Sequence, residues 1–328
     1  ILCDLPVRFD TYKGCSHACK YCFTYNKYDI SKVKPFEGVK SLKNWIDGKR
    51  TALTKWCDWD IPLHWGGMSD PFQKPAELKY RNSYECLKVF AKTKYPFVVS
   101  TKSVLPARAD YYSLFKKCNF VFQSSMIDSK LDEIESGAPT FEKRMSILEK
   151  MSKIAKRVVI RIQPYMSEFQ SEILEHLKEY KDRGVYGVIV EGLKSRKKIK
   201  GFVKSAGDHV YPYKYLKVRF DEIKKRCHEL GLVFLCGENR MRHMSDSLTC
   251  CGTEGLEGFK ANKCNFNHKL YGEFEYTDKM KEKDSGKVFK ALAQKTKKLN
   301  VIKTKSYKEL MDKYFKDKNA NEIFKSRE

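Results

Sequence analysis

The chain has 328 residues, 41% of them hydrophobic and 13% aromatic, enough for one large packed domain or one domain with an appendage. No apolar run approaches the ~20 residues of a bilayer span and no secretory leader opens the sequence, so membrane-spanning classes are set aside and a cytoplasmic protein is expected. A formal net charge of +24 favours anionic partners, nucleic acid among them, although lysine-rich solvated helices give the same total.

In chain order, residues 5–9 read as a short apolar strand, and GCSHACKYCF follows at once. Cys15, Cys19 and Cys22 form a C-x3-C-x2-C run. Three thiolates fill three corners of a [4Fe–4S] cube and leave the fourth iron open. Structural zinc asks for four tetrahedral ligands, often as two separated pairs, and His17 is an awkward fourth beside three such close cysteines. A zinc knuckle with a distant fourth ligand remains the alternative. An open iron suits S-adenosylmethionine (SAM), whose amino and carboxylate groups chelate it, and the cofactor then carries the hard chemistry. Phe23, after the third cysteine, is placed to pack at the adenine. Twelve cysteines with so tight a triplet point to metal ligation in a reducing compartment rather than to a disulfide framework.

Further strands are expected at 61–65, 97–100, 120–124, 158–162, 185–190 and 232–235, with helices at 40–53, 76–92, 141–155, 171–182 and 215–230. This alternation predicts an α/β fold of parallel βα units, a partial or full TIM-like (β/α) barrel with the cysteine loop at its C-terminal mouth. Residues 1–236 form the expected barrel and 237–328 a cysteine-containing extension with helices at 287–299 and 305–325. The basic stretch 192–212 interrupts the rhythm, as a lid, an anion-binding loop or a solvated connector.

With these stretches in place, the chain resembles the radical SAM superfamily, and within it the spore photoproduct lyase-like branch. The likeness rests on GCSHACKYCF, HWGGMSDPFQ, VVSTKS, ESGAPTFEKRMSILEKM and RVVIRIQPYM, in that order, and covers about residues 5–235. It implies a barrel of the radical SAM type, a [4Fe–4S] cluster on Cys15, Cys19 and Cys22, SAM as cofactor, and an electron donor of the flavodoxin or ferredoxin kind. Gly66 and Gly67 match the glycines near the SAM amino group, Ser69 and Lys102 match polar SAM contacts, and Ser124 or Ser125 is placed for the ribose or carboxylate. Authentic lyases carry a hydrogen-donating cysteine where this chain has Gly67, and a tyrosine where it has Phe23, although Tyr21 remains. The resemblance therefore implies a relative with chemistry other than dimer repair.

Cys236, Cys250, Cys251 and Cys264 lie in an aperiodic segment rich in Gly and Asn. They are candidates for an auxiliary iron–sulfur cluster, with Cys227 or His268 as substitutes, while Cys251 is a candidate catalytic thiol beside Tyr21; buried thiols without metal are the plain reading. Cys86 lies on an apolar helical face and reads as core. The expected function is a radical SAM enzyme acting on a nucleic-acid base or nucleotide. A peptide or small metabolite is the alternative substrate, and a non-catalytic metal-stabilised nucleic-acid-binding protein the alternative class.

Overall fold

The computed structural model describes residues 5, 7–26, 29, 32–49, 61–205, 208–247 and 249–259. Its strands are β1 (Arg8–Phe9), β2 (Tyr12–Lys13), β3 (Lys34–Pro35), β4 (Leu63–Trp65), β5 (Phe97–Thr101), β6 (Phe120–Ser125), β7 (Arg157–Tyr165), β8 (Gly187–Gly192), β9 (Lys194–Ser195), β10 (Val203–Ser205), β11 (Asp208–Val210) and β12 (Val233–Cys236). The α-helices are α1 (Gly38–Ile46), α2 (Lys74–Tyr80), α3 (Asn82–Thr93), α4 (Ala109–Phe115), α5 (Phe141–Met145), α6 (Leu148–Ser152), α7 (Gln170–Asp182) and α8 (Tyr213–Glu229). Seven strands pair in parallel in the order β1-β4-β5-β6-β7-β8-β12, which keeps sequence order. Parallel neighbours need crossovers, and the helices supply them. The result is the expected α/β architecture, an open (β/α) barrel whose edges are β1 and β12.

Strand alternation sorts the residues by face. Register places Ser100 beside Gln123 and Ser125 beside Arg161, so these share the inner face with His64. The outer face carries Trp65, Phe97 and Phe122, all buried under helices. Phe97 meets Phe90 of α3 at 4.1 Å between ring centroids and Phe115 of α4 at 6.4 Å. Truncating a ring in such a cluster costs about 3–5 kcal/mol. Cys86 joins this core, as its place on an apolar face predicts.

The helix expected over 76–92 is two helices, because Arg81 takes a left-handed conformation (φ 50°) between them. Buried Glu77 explains the break. Its carboxylate accepts from Ser83 N at 2.9 Å and Tyr84 N at 2.8 Å, satisfying the first turn of α3, and from the hydroxyls of Tyr12 and Tyr111. The helix expected over 141–155 is likewise divided, into α5 and α6. Residues 192–212 hold a three-stranded antiparallel sheet, β10-β11-β9, in place of the expected loop.

Residues 249–259 pack into the barrel at the N-terminal ends of its strands. The Arg157 guanidinium donates to Gly252 O and Glu254 O, Gln123 Nε2 donates to Cys251 O at 3.1 Å, and Cys251 and Phe259 enter the core. The helices expected at 287–299 and 305–325, like Cys264, lie outside the described residues. Among those described, no helix is long and apolar enough to cross a membrane.

Candidate functional site

The chain turns at Gly14 after β2 and enters the cysteine loop, in which Cys19 is buried and Cys15 and Cys22 are half-buried. Ala18 holds a left-handed φ of 49°, and Cys22 N donates to Cys19 O at 3.0 Å. Two neighbouring segments pin this loop. From the turn after β4, Gln73 Oε1 accepts from Ser16 N at 2.6 Å, and Gln73 Nε2 donates to Gly14 O at 3.0 Å. From the segment after β6, Ile134 O accepts from Lys20 N at 3.0 Å and Gly137 N donates to His17 O at 3.1 Å. Gly137 has to be glycine here, because a Cβ would lie 2.0 Å from Ser16 O.

His17 is a tie rather than a ligand. Its Nδ1 meets Gly137 O at 2.9 Å and its Nε2 meets Asp70 Oδ2 at 3.0 Å. Asp70 also accepts from Thr101 Oγ1, Lys102 N and Phe72 N, joining the loops after β4 and β5. Burial alone raises this carboxyl; the His17 imidazole and the hydrogen bonds outweigh it and hold Asp70 below the usual carboxylate range.

Gly66 ends β4 with φ 88°, and a Cβ there would lie 2.3 Å from Ser100 O. At Gly67 a Cβ would lie 2.8 Å from Arg8 Cδ. Ser69, expected to contact SAM, is buried, and its hydroxyl donates to Tyr12 O at 2.6 Å. Its amide and that of Met68 donate to Asp10 Oδ1, a carboxylate that sequence reading passed over.

Lys102 lies beside the cysteine loop, but its ammonium is engaged. It pairs with Glu135 Oε1 at 2.8 Å and lies 3.5 Å from Ser125 O. Glu135 also takes the Tyr21 hydroxyl and, at 2.7 Å, the guanidinium of buried Arg144. Burial raises Glu135, yet Lys102 and Arg144 outweigh it and hold the carboxyl below its ordinary value. Of the two serines, strand alternation puts Ser125 on the inner face and Ser124 on the outer, so Ser125 is the one that faces the mouth.

Burial, followed by the Asp70 charge, pushes the Cys15 thiol up to about 12; burial, eased by Lys102, pushes Cys19 up to about 11. The Cys19 charge also raises Cys15 and the Cys22 charge raises Cys19, so holding Cys15 and Cys19 deprotonated together calls for added positive charge. Among the described residues no three His, Cys, Asp or Glu side chains converge as a ready-made metal site. The backbone of the loop is pinned; the three sulfurs are not drawn together.

Below the mouth, the inner face carries a polar layer. Ser100 Oγ accepts from Arg161 at 3.0 Å and donates to Gln123 Oε1 at 2.7 Å, and His64 Nε2 lies 2.8 Å from Ser100 Oγ. Burial, with Arg161 and Arg8 nearby, pushes His64 down to about 3, so it is neutral near pH 7.

The other expected residues lie elsewhere. Phe23 is 50% exposed, at the start of a 3₁₀ turn after the loop. Cys236 was expected to emerge toward the mouth, but it alternates with Gly237, where a Cβ would strike Gln163 Nε2 at 2.5 Å, and so faces outward. Cys250 and Cys251 have sulfurs 3.9 Å apart in the segment that plugs the barrel, with the Cys251 carbonyl beneath the polar layer.

No family model matches the chain. It is 26% identical over 216 residues to an uncharacterized protein of Mycobacterium tuberculosis and another of Mycobacterium bovis, a match covering 60% of this chain and 62% of each relative. The chain thus spans about three fifths of the length of the curated relatives it matches. Among solved structures, a mutant spore photoproduct lyase superposes with a TM-score of 0.50 at 14% identity, covering 69% of this chain and 75% of that one. Streptococcus suis SuiB bound to S-adenosylmethionine gives a TM-score of 0.49 at 14% identity, over 84% of this chain and 55% of that one. At such identity the likeness to the lyase is one of fold: this chain has its open (β/α) barrel.

Proposed function

We propose that the chain is a radical SAM enzyme. The observation that supports this most is the cysteine loop after β2, pinned from the segments after β4 and β6, with Gly66, Lys102 and Ser125 at the adjacent ends of β4, β5 and β6. The donor set fits a [4Fe–4S] cluster: three thiols lie on one short loop, and the Lys102 and Arg144 cations act on Cys19. Held by Cys15, Cys19 and Cys22, such a cluster would, together with SAM, supply one-electron reductive cleavage of the sulfonium.

The chain's own residues prepare that chemistry. Cys15, Cys19 and Cys22 hold the cluster, releasing protons as they bind. The missing Cβ of Gly66 lets the Ser100 carbonyl, and that of Gly67 the Arg8 side chain, pack against the turn after β4. Lys102, held by Glu135, fixes the Ser125 end of β6 rather than standing free for a carboxylate, while His64, Ser100, Gln123 and Arg161 form a rigid polar floor. An exposed lysine, Lys20, lies on the loop, a reasonable approach for an acidic flavodoxin- or ferredoxin-like donor.

The substrate class in this reading is a nucleic-acid base or nucleotide, supported by the lyase-like motifs and the net charge of +24. Dimer repair itself is disfavoured. The hydrogen-donating thiol of the lyases falls at Gly67, where Arg8 crowds the space that a side chain would need. Anaerobic reconstitution with iron and sulfide, reduction with dithionite and addition of SAM tests the reading. 5′-Deoxyadenosine is expected by chromatography; none above a Cys19→Ala control would sink the proposal.

A further inference from the structure

The inner face of a closed barrel is filled by side chains, but the upper half of this open one is not. Trp65, Phe97 and Phe122 on the outer face are fully buried. On the inner face Arg161, Gln163, Glu191 and Gly237 are only half-buried, and Arg8 is exposed. The hollow ends on the buried layer of His64, Ser100 and Gln123. Two guanidiniums converge on this floor. Arg8 pairs with His64 across β1 and β4, which puts it on the same face, and its Cδ lies 2.8 Å from the Cβ position of Gly67. From the other side, Arg161 Nη1 lies 3.0 Å from Ser100 Oγ, 2.7 Å from Gln123 Oε1 and 3.4 Å from His64 Nε2.

His64 adjoins both cations and, kept neutral by burial and by their charge, adds no third one. The neighbouring acids are engaged at the margins of the hollow. Asp10, beyond the end of β1, attracts Arg8, but its Oδ1 accepts from Met68 N at 3.0 Å and Ser69 N at 3.2 Å. Glu191, across the hollow, takes Lys194 and, at 2.8 Å, Gln163 Nε2. Ser100 and Gln123 are uncharged, so they hold Arg161 in place without neutralising it. Like charges that face one cavity repel unless an anion lies between them, and guanidinium forks suit phosphate oxygens.

We propose that Arg8 and Arg161 form an anion subsite at the floor of the barrel mouth, and that it takes the phosphate of a free mononucleotide substrate. A phosphomonoester carries about −1.5 to −2 at pH 7, so two cations match it better than they match a carboxylate or a phosphodiester. Two residues of strand rise put His64 about 7 Å below Gly66, so a phosphate on the floor leaves the sugar between the floor and the rim that bears the cysteine loop. The inference rests on the nucleotide reading above and narrows it from polymer to mononucleotide.

Calorimetric titration of the full chain, reconstituted anaerobically with iron and sulfide, tests the subsite. The probes are the common nucleoside 5′-monophosphates, the matching nucleosides, inorganic phosphate, glutarate and SAM. Wild type is compared with Arg8→Gln, Arg161→Gln, Arg161→Lys and, as a control on α8, Lys217→Gln. At least one nucleotide is expected to bind at least tenfold more tightly than its nucleoside and than inorganic phosphate. Arg8→Gln and Arg161→Gln should each weaken that nucleotide at least tenfold while changing the nucleoside less than twofold. Lys217→Gln should change neither. Arg161→Lys keeps the charge and should retain more affinity than Arg161→Gln, which separates loss of the cation from loss of fold; Arg8 is exposed, so its variant keeps the fold. No nucleotide binding, or nucleotide affinity no greater than that of the nucleoside, would overturn the proposal. So would an arginine-dependent preference for glutarate over every nucleotide, or loss of SAM binding with nucleotide binding intact. Formation of 5′-deoxyadenosine is scored separately, so failure of the radical chemistry is distinguishable from failure of the subsite.

Discussion

The two rims of the barrel hold their charges in opposite ways. On the β1–β4–β5–β6 side, Lys102 and Arg144 share Glu135, Arg144 also reaches Asp132, and His17 meets Asp70. On the β8 side, five exposed cations of the β9–β11 flap, Arg196, Lys197, Lys198, Lys200 and Lys204, have no ion pair among the described residues, and the flap's one acid, Asp208, is half-buried. A buried charge must be paired or it destabilises the fold, so the first rim is locked into one geometry. A solvated charge costs little and stays available to a ligand. One rim is built to hold a loop still; the other keeps its charges in water.

Variants separate these two regimes. Glu135→Ala should have the largest effect, stranding Lys102 and Arg144 without their shared counter-charge. A loss of about 3–5 kcal/mol is expected by urea unfolding; less than about 1 kcal/mol would mean the pairing is not what holds this rim. Next comes a matched pair of glycines. Gly66 and Gly201 have φ of 88° and 84°, but a Cβ at Gly66 strikes Ser100 O whereas nothing lies within 4 Å of one at Gly201. Gly66→Ala should cost well over 2 kcal/mol and Gly201→Ala only about 1–2 kcal/mol, the left-handed conformation alone. Similar losses would show that crowding at the rim matters less than backbone conformation.

His64 gives a smaller, pH-dependent effect. Its folded value of about 3 lies below the ordinary 6.5, so the unfolded chain takes up the proton first as pH falls. Its contribution is therefore complete above about pH 6.5 and declines toward pH 3, with a slope of at most about 1.4 kcal/mol per pH unit. Relative to wild type, His64→Gln should show a shallower loss of stability between pH 7 and pH 5. An unchanged profile would contradict burial of a neutral imidazole. Smallest of all, Lys198→Ala on the flap should shift stability by no more than about 0.5 kcal/mol.

Much of the first rim was legible in the sequence, since a C-x3-C-x2-C run needs no tertiary information and short apolar, β-branched runs marked the strands. Its supports were less so. Asp10, Glu135 and Arg144 act across separations that periodicity does not register, and Glu135 joins residues from three segments. His17 was visible but reads as an unsuitable ligand, because its partners Asp70 and Gly137 come from elsewhere in the chain. The split at Arg81 was hidden since Glu77 is an ordinary helix residue until its burial is known. On the second rim, strands of two or three residues are too short for alternation to show, so the flap reads as a loop even though its charge is plain.

The loop of Cys15, Cys19 and Cys22 is the proposed seat of the cluster, whereas Cys236 faces outward and Cys250 and Cys251 lie in the segment that plugs the barrel. Iron and sulfide counts after anaerobic reconstitution test it most directly, on wild type, on Cys15→Ala, Cys19→Ala and Cys22→Ala, and on Cys236→Ala, Cys250→Ala and Cys251→Ala. The expected result is about four irons per chain in wild type and in the tail variants, and loss of iron in each loop variant. Zinc in place of iron, or iron lost from a tail variant while a loop variant keeps it, would contradict the account.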